Sequence, residues 1–298
     1  MRRAFLSLVL FGLLVPASCH AADKDASTKV SGQRAMAHVR ALVGFGDRRP
    51  GSEGHRKTQE YILAELRKAE VEVEEVSFTA ETPRGRLAMK NIIAKIPGRS
   101  QDILVVSGHY DTLWLDGFVG ANDGGSSAAL LLEIARALRR QAPLEKSVWV
   151  VFFDGEEAIE QWSERDGVYG SRWQAALWRQ QGVLRRVRAL INVDMIGDRG
   201  LALRREQNST PWLTDLVWQA ARDKGYAANF LDEQTAVYDD HAPFLALGVP
   251  AVDLIDFEYG PQNRYWHTTQ DTADKVSPRS LQIVGEVVLE SLNRLMRM

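Results

Sequence analysis

Ser147-Val148-Trp149-Val150-Val151-Phe152-Phe153 runs straight into Asp154-Gly155-Glu156-Glu157. Val148, Val150, Val151, Phe152 and Phe153 are β-branched or aromatic and nearly uninterrupted, which reads as a central parallel strand covered on both faces. In open α/β sheets, ligands sit beyond the carboxyl ends of such strands. Position therefore matters more than identity here, because adjacent glutamates elsewhere are ordinary solvated surface. At a strand end one carboxylate can hold a metal while the other moves protons.

Other segments offer metal-type ligands in the same kind of place. His109-Tyr110-Asp111 follows the apolar strand Ile103 to Ser107. Asp123 lies in Gly120-Ala121-Asn122-Asp123-Gly124-Gly125, just before an apolar helix beginning near Ser126. Asp194 ends the strand Ala189 to Val193, and His267 lies in Tyr265-Trp266-His267-Thr268-Thr269, beyond the strand Ala251 to Ile255. Taken singly, a histidine is more often structural and an Asp in a glycine turn is a turn former; it is the coincidence at several strand ends that points to a site. His and carboxylate ligands without cysteine suit zinc, with one position left for substrate. Of the six histidines, His20 falls in the leader and His38 and His55 on helices expected to be exposed, which leaves His109, His241 and His267 as candidates.

Met1-Arg2-Arg3, the apolar run Ala4 to Val15 and small residues up to Ala22 form the pattern of a secretory signal peptide. The run is too short to span a bilayer. Residues 1–22 are thus expected to be removed, leaving 23–298 as an exported catalytic domain, periplasmic or secreted. The single cysteine, Cys19, lies in that leader, so the mature chain forms no disulfide; Ala17-Ser18-Cys19 loosely resembles a lipoprotein processing site, which raises a lipid anchor at Cys19. Loss of Arg2 and Arg3 moves the formal charge from −2 to −4, a balance with no sign of nucleic-acid binding. With 45% hydrophobic residues and no repeat or linker, the chain can bury one large core.

Helices are expected near 31–43, 53–69, 126–140, 171–181, 211–224 and 277–296. Strands are expected near 71–78, 89–96, 103–107, 147–153, 189–193 and 251–255. This alternation predicts a single α/β domain with a mostly parallel twisted central sheet and helices on both faces.

From about residue 34 to the C-terminus the sequence resembles the zinc aminopeptidase superfamily, and within it the animal-type glutaminyl-peptide cyclotransferases, or glutaminyl cyclases. The most specific likeness is Phe152-Phe153-Asp154-Gly155-Glu156-Glu157-Ala158, then Trp162, Asp166 and Tyr169-Gly170-Ser171-Arg172. Asp239-Asp240-His241-Ala242-Pro243-Phe244-Leu245, Gly248-Val249-Pro250 and Trp266-His267-Thr268 add to it. The resemblance implies that Asp123, Glu157 and His267 bind one zinc, that Glu156 is the acid/base, and that Asp194 and Asp239 complete a carboxylate network. It also implies a substrate pocket walled by Trp162 and Trp266, with Tyr238 beside it and a further aromatic that is either Phe257 or Tyr259.

The implied reaction cyclises the N-terminal glutamine of a peptide or protein to pyroglutamate. A neutral α-amine attacks the γ-carboxamide carbon and ammonia leaves. Crowding by Glu157, Asp194 and Asp239 should raise the pKa of Glu156, while a metal opposes this. Two alternatives stay open. His109 and Asp194, sharing Asp123 as a bridge, would complete a second zinc site and make a two-zinc aminopeptidase; a non-catalytic binding domain on the same scaffold is the third reading. The chain departs from the animal cyclases at Tyr238, where they carry Gln, and at Asp253, where they carry His. Its segment Asp256 to Tyr265 is longer than theirs, and their disulfide cysteines are missing.

Overall fold

The strand that opens the argument sits where its composition places it. In the computed structural model, which describes residues 28–163 and 165–298, β4 (Ser147–Phe153) is flanked by β2 (Gly85–Ile96) and β3 (Ile103–His109) within a six-stranded sheet. The sheet order is completed by β1 (Glu72–Thr82) at one edge and by β5 (Val187–Asp194) and β8 (Ala251–Ile255) at the other, giving β1-β2-β4-β3-β5-β8. The expected leader, with His20 and Cys19, lies outside the described residues.

β4, β3, β5 and β8 run parallel and adjacent, so their carboxyl ends open on one edge. The other two strands form an antiparallel hairpin, and β2 pairs antiparallel with β4. Both hairpin strands are longer than their apolar content suggests. In β1 only alternate residues, Val76, Phe78 and Ala80, are buried, the period expected of a half-covered edge strand.

Side chains alternate across the central strands into two cores. Val148, Val150 and Phe152 face helices α1 (Gly32–Val43), α2 (Glu53–Lys68), α3 (Gly125–Arg139), α5 (Pro211–Asp223) and α7 (Pro278–Met296). Val151 and Phe153 face Ala175 and Trp178 of α4 (Tyr169–Gln180) and Phe244 of the short α6 (Ala242–Leu245). Helix α3 is buried at nearly every position, as a helix enclosed between sheet and outer helices must be. Among the described residues, no helix is long and apolar enough to cross a membrane.

Two short strands, β6 (Leu203–Glu206) and β7 (Phe230–Thr235), pair in parallel as a separate sheet, with β6 packed beside β8. Their sequences are half charged and carry no strand periodicity. They are held by cross-links: Arg205 reaches Asp232 at 3.0 Å, and the Trp218 indole donates to the Leu231 carbonyl at 2.8 Å.

The expectation that His55 lies on an exposed helix face is wrong. His55 is buried, and its Nε2 stands 2.8 Å from Asp154 Oδ1. Burial works against its charge, but Asp154 outweighs it and raises the pKa. His38 is half-buried and meets the Tyr61 hydroxyl at 2.7 Å.

Candidate functional site

Beyond the parallel strand ends, each candidate side chain is placed by local backbone. The two glutamates leave β4 through Gly155, at φ +67°. A Cβ there would stand 2.5 Å from the Met89 sulfur, so both conformation and space favour glycine. Asp111, fully buried, then accepts from the Glu156 N–H at 3.1 Å and the Glu157 N–H at 3.3 Å.

Asp123 is fixed through its own turn. Asp271 accepts from the N–H groups of Asn122 and Asp123 at 2.8 and 3.0 Å and from the Tyr259 hydroxyl at 2.7 Å. The buried guanidinium of Arg48 donates to the carbonyls of Tyr110, Val119, Gly120 and Asp123 at 2.8, 2.5, 2.8 and 3.2 Å. Burial lowers the Arg48 pKa to about 10, opposed by Asp271, Asp111, Asp123 and Glu157, so it remains charged at neutral pH. Arg48→Met would orphan these carbonyls. We expect a loss of about 3 kcal/mol or more in unfolding free energy, read by denaturant titration, together with weaker metal retention; unchanged values of both would show that the turn stands without Arg48.

Three non-glycine residues beside the site adopt left-handed backbone: Val168 (φ 44°), Met195 (φ 49°) and His267 (φ 52°). For valine and methionine such a conformation is costly and persists only where surroundings enforce it. Here it turns the chain sharply after Asp194 and directs His267 inward.

The result is a ligand-like group. His267 Nε2 lies 3.4 Å from Asp123 Oδ2 and 3.5 Å from Glu157 Oε2. Two donors bound tetrahedrally at about 2.0–2.1 Å from zinc stand ~3.3–3.4 Å apart, so the set fits that ion. Asp123 Oδ2 and Glu157 Oε1 are buried without a hydrogen-bond partner, as free donor atoms for a cation would be. A second group shares Asp123: His109 Nε2 lies 3.1 Å from Asp194 Oδ1 and 3.3 Å from Asp123 Oδ1.

Charge is concentrated here. Burial pushes the Asp123 carboxyl up, but the imidazoles of His109 and His267 outweigh it and hold it far below the ordinary range. For His267 burial opposes charge, yet Glu157 and Asp123 raise its pKa to about 9. Burial raises Glu157, with Asp123 adding to it and both imidazoles opposing. Glu156 is raised well above a normal glutamate chiefly by burial; His109 opposes, while Asp239, Glu157 and Asp240 add to the rise. The group titrates as a coupled set.

These residues open into a cleft of about 540 Å³. Of the residues singled out in the sequence, Asp123, Glu156, Glu157, Trp162, Asp194, Tyr238, Asp239, Phe257, Trp266 and His267 all line it. Trp266 stacks on His267 with ring centroids 4.1 Å apart and meets Phe257 at 4.9 Å. His109 lies behind the wall, fully enclosed.

Two candidates fall elsewhere. His241 is buried with Nε2 3.2 Å from Glu206 Oε2 of β6 and does not reach the cleft lining. Tyr259 is enclosed beneath Asp271, so Phe257 is the pocket aromatic of that segment. Asp253 meets Asp239 through Asn192, whose Nδ2 donates to both carboxylates at 3.1 Å. Sequence reading missed Leu113, Glu160, Gln161 and Val237 of the lining, and also Arg48. Asp111 was visible beside His109, but nothing local marked it as the acceptor for the glutamate backbone.

The model of Peptidase family M28 matches residues 91–292. A glutaminyl-peptide cyclotransferase of Drosophila melanogaster is 32% identical over 76% of this chain and 71% of its own length. Among solved structures, an Acidobacteriales bacterium glutaminyl cyclase superposes with a TM-score of 0.86 at 41% identity, covering 97% of this chain and 99% of its own. A Porphyromonas gingivalis glutaminyl cyclase follows with a TM-score of 0.83 and 31% identity, over 89% of this chain and 99% of its own. These matches cover most of the chain: it belongs to Peptidase family M28 and, within it, to the glutaminyl cyclases.

Proposed function

We propose that the chain cyclises the N-terminal glutamine of peptides or proteins to pyroglutamate with release of ammonia, using one zinc held by Asp123, Glu157 and His267. The observation that carries this is the shared cleft: Glu156 opens into it beside those three residues, between Trp162, Phe257 and Trp266. The likeness to the cyclotransferases and cyclases supports the same reaction.

Bound at that site, zinc supplies Lewis acidity toward the glutamine γ-carbonyl. The chain's own residues do the rest. As the α-nitrogen bonds to the carboxamide carbon, Glu156 takes one proton from it. As the carbon–nitrogen bond of the carboxamide breaks, Glu156 returns that proton to the leaving nitrogen, which departs as ammonia and leaves the carboxylate as it began. The high proton affinity that burial gives Glu156 suits it to hold the proton between the two steps. Asp239 and Asp194 form the carboxylate network around it. Trp162, Trp266, Phe257 and Tyr238 enclose the glutamine side chain and displace water, the competing nucleophile.

The single-zinc reading rests on the likeness to the glutaminyl cyclases and on Trp162 and Trp266 at the cleft; His109, Asp123 and Asp194 stand at similar spacing and are the group a second ion would use. Residues 1–22 are proposed to export residues 23–298 to the periplasm or beyond. The test is to incubate zinc-loaded protein with a glutamine-initiated peptide and read the products by mass. Loss of ammonia from an intact peptide is expected. Free amino acids released from varied peptides would instead identify a hydrolase, and no product of either kind a binding domain.

A further inference from the structure

The segment between Glu157 and Val168 closes on itself. Its base is tied where the Val168 N–H donates to the Glu156 carbonyl and the Tyr169 N–H to the Gly155 carbonyl, both at 2.7 Å. Between these ties, Ala158, Glu160, Gln161 and Trp162 line the cleft. The middle of the loop is a carboxylate with no part in the proposed chemistry. Asp166, only 3% exposed, accepts on Oδ1 from the Ile159 N–H at 2.7 Å and the Tyr169 hydroxyl at 2.8 Å. On Oδ2 it accepts from the N–H groups of Glu160 and Gln161, both at 2.9 Å.

The chain on the far side of Trp162 is tied as well. Ser163 and Asp166 exchange backbone hydrogen bonds at 3.0 and 3.2 Å. Tyr169, which carries one of the donors, is itself embedded among Phe78, Ala80, Met89 and Ile159. Burial would raise the Asp166 pKa, but the surrounding N–H and O–H donors outweigh it and hold it low, so it accepts as an anion, the stronger form of such bonds.

Gly167 completes the arrangement. Its φ is +131°, and a Cβ there would stand 2.9 Å from Trp162 Cζ3 and 3.0 Å from Cε3. The six-membered ring of the indole therefore lies directly against the Gly167 backbone. Trp162 is 43% exposed, too open for core packing alone to fix its rotamer. Its place at the cleft comes from a clamped backbone and a glycine floor.

We infer that Asp166 is a positioning residue for substrate binding: it holds the backbone that presents Trp162 to the cleft, with Gly167 as the surface on which the indole rests. This rests on the reading that Trp162 walls the substrate pocket, and the experiment separates the two. Trp162→Ala, Asp166→Asn and the double variant are compared as zinc-loaded enzymes with a glutamine-initiated peptide, reading kcat and KM separately.

Trp162→Ala alone should raise KM by roughly 10-fold or more with zinc content unchanged. If KM does not move, the pocket reading of Trp162 fails and the inference falls with it. Asp166→Asn places an amide N–H₂ against N–H donors and should raise KM by about 5- to 10-fold, with kcat within about 3-fold and zinc retained. In the Trp162→Ala background the same change should raise KM less than about 2-fold, because its route is already gone. Additive effects on KM, or a fall in kcat at unchanged KM, would overturn the inference while leaving the pocket reading intact. Should Asp166→Asn fail to fold, Gly167→Ala keeps the Asp166 carboxylate while crowding the indole and straining the backbone on which it rests. It is expected to show the same non-additivity with Trp162→Ala, and an unaltered KM there overturns the inference.

Discussion

Glu156→Gln is expected to lower kcat by about 10³-fold, within the range that a positioned acid/base contributes, while zinc content stays at the level of the parent protein. Gln keeps the shape of the side chain and loses the ability to take the amine proton. Folding should not suffer. Glu156 is buried, and burial, with Asp239, Glu157 and Asp240 adding to it, raises its pKa in the metal-free site, so the thermal midpoint of the zinc-free variant should hold or rise relative to the zinc-free parent. Ammonia release, elemental analysis and calorimetry on one preparation read all three quantities. If zinc disappears together with activity, Glu156 is a ligand and the roles of the adjacent glutamates have been exchanged.

Glu157→Gln is expected to do the reverse, weakening zinc retention by at least about 100-fold, more than the loss of an outer-shell partner of a ligand typically costs. Glu157 is buried, and its Oε1 has no hydrogen-bond partner. Its Oε2 faces the His267 imidazole at 3.5 Å. A neutral amide in its place removes the charge that complements the cation and leaves a weaker donor. Competition with a chromogenic chelator gives the affinity directly. Full retention would move the ion to the neighbouring group of His109, Asp123 and Asp194, and with it the whole reading of the cleft.

That two adjacent carboxylates stand at the end of a buried strand was legible because it depends on neighbours in sequence, an apolar strand, a glycine that can turn at φ +67° and two carboxylates after it, while which of the two holds the metal came from the resemblance alone. The same holds for β3 and β5, whose buried runs end at the candidate ligands His109 and Asp194, while His267 follows β8 only after a loop. Their parallel, adjacent arrangement then brings Asp123, Glu157, Asp194 and His267 to one edge.

What could not be read depends on partners far away in the chain. Arg48 looks like any surface arginine until its guanidinium meets carbonyls 62 to 75 residues further on. His55 has an amphipathic helix around it, and only the packing of that helix against the end of β4 shows that it faces Asp154 across 99 residues. His241 follows the two aspartates as closely as any family motif could ask. The backbone turns it toward Glu206, on a strand pair whose charged sequence hid its existence. Asp253 is a similar case: its exchange for the histidine of animal cyclases is visible in sequence, but the Asn192 bridge that joins it to Asp239 is a tertiary contact.

Bound zinc per chain in freshly purified, active enzyme tests the account most directly. One zinc is expected, lost together with cyclisation of a glutamine-initiated peptide on chelation and restored with it by one equivalent of the metal. Two zinc ions per chain, or cyclisation that survives complete removal of the metal, would contradict it.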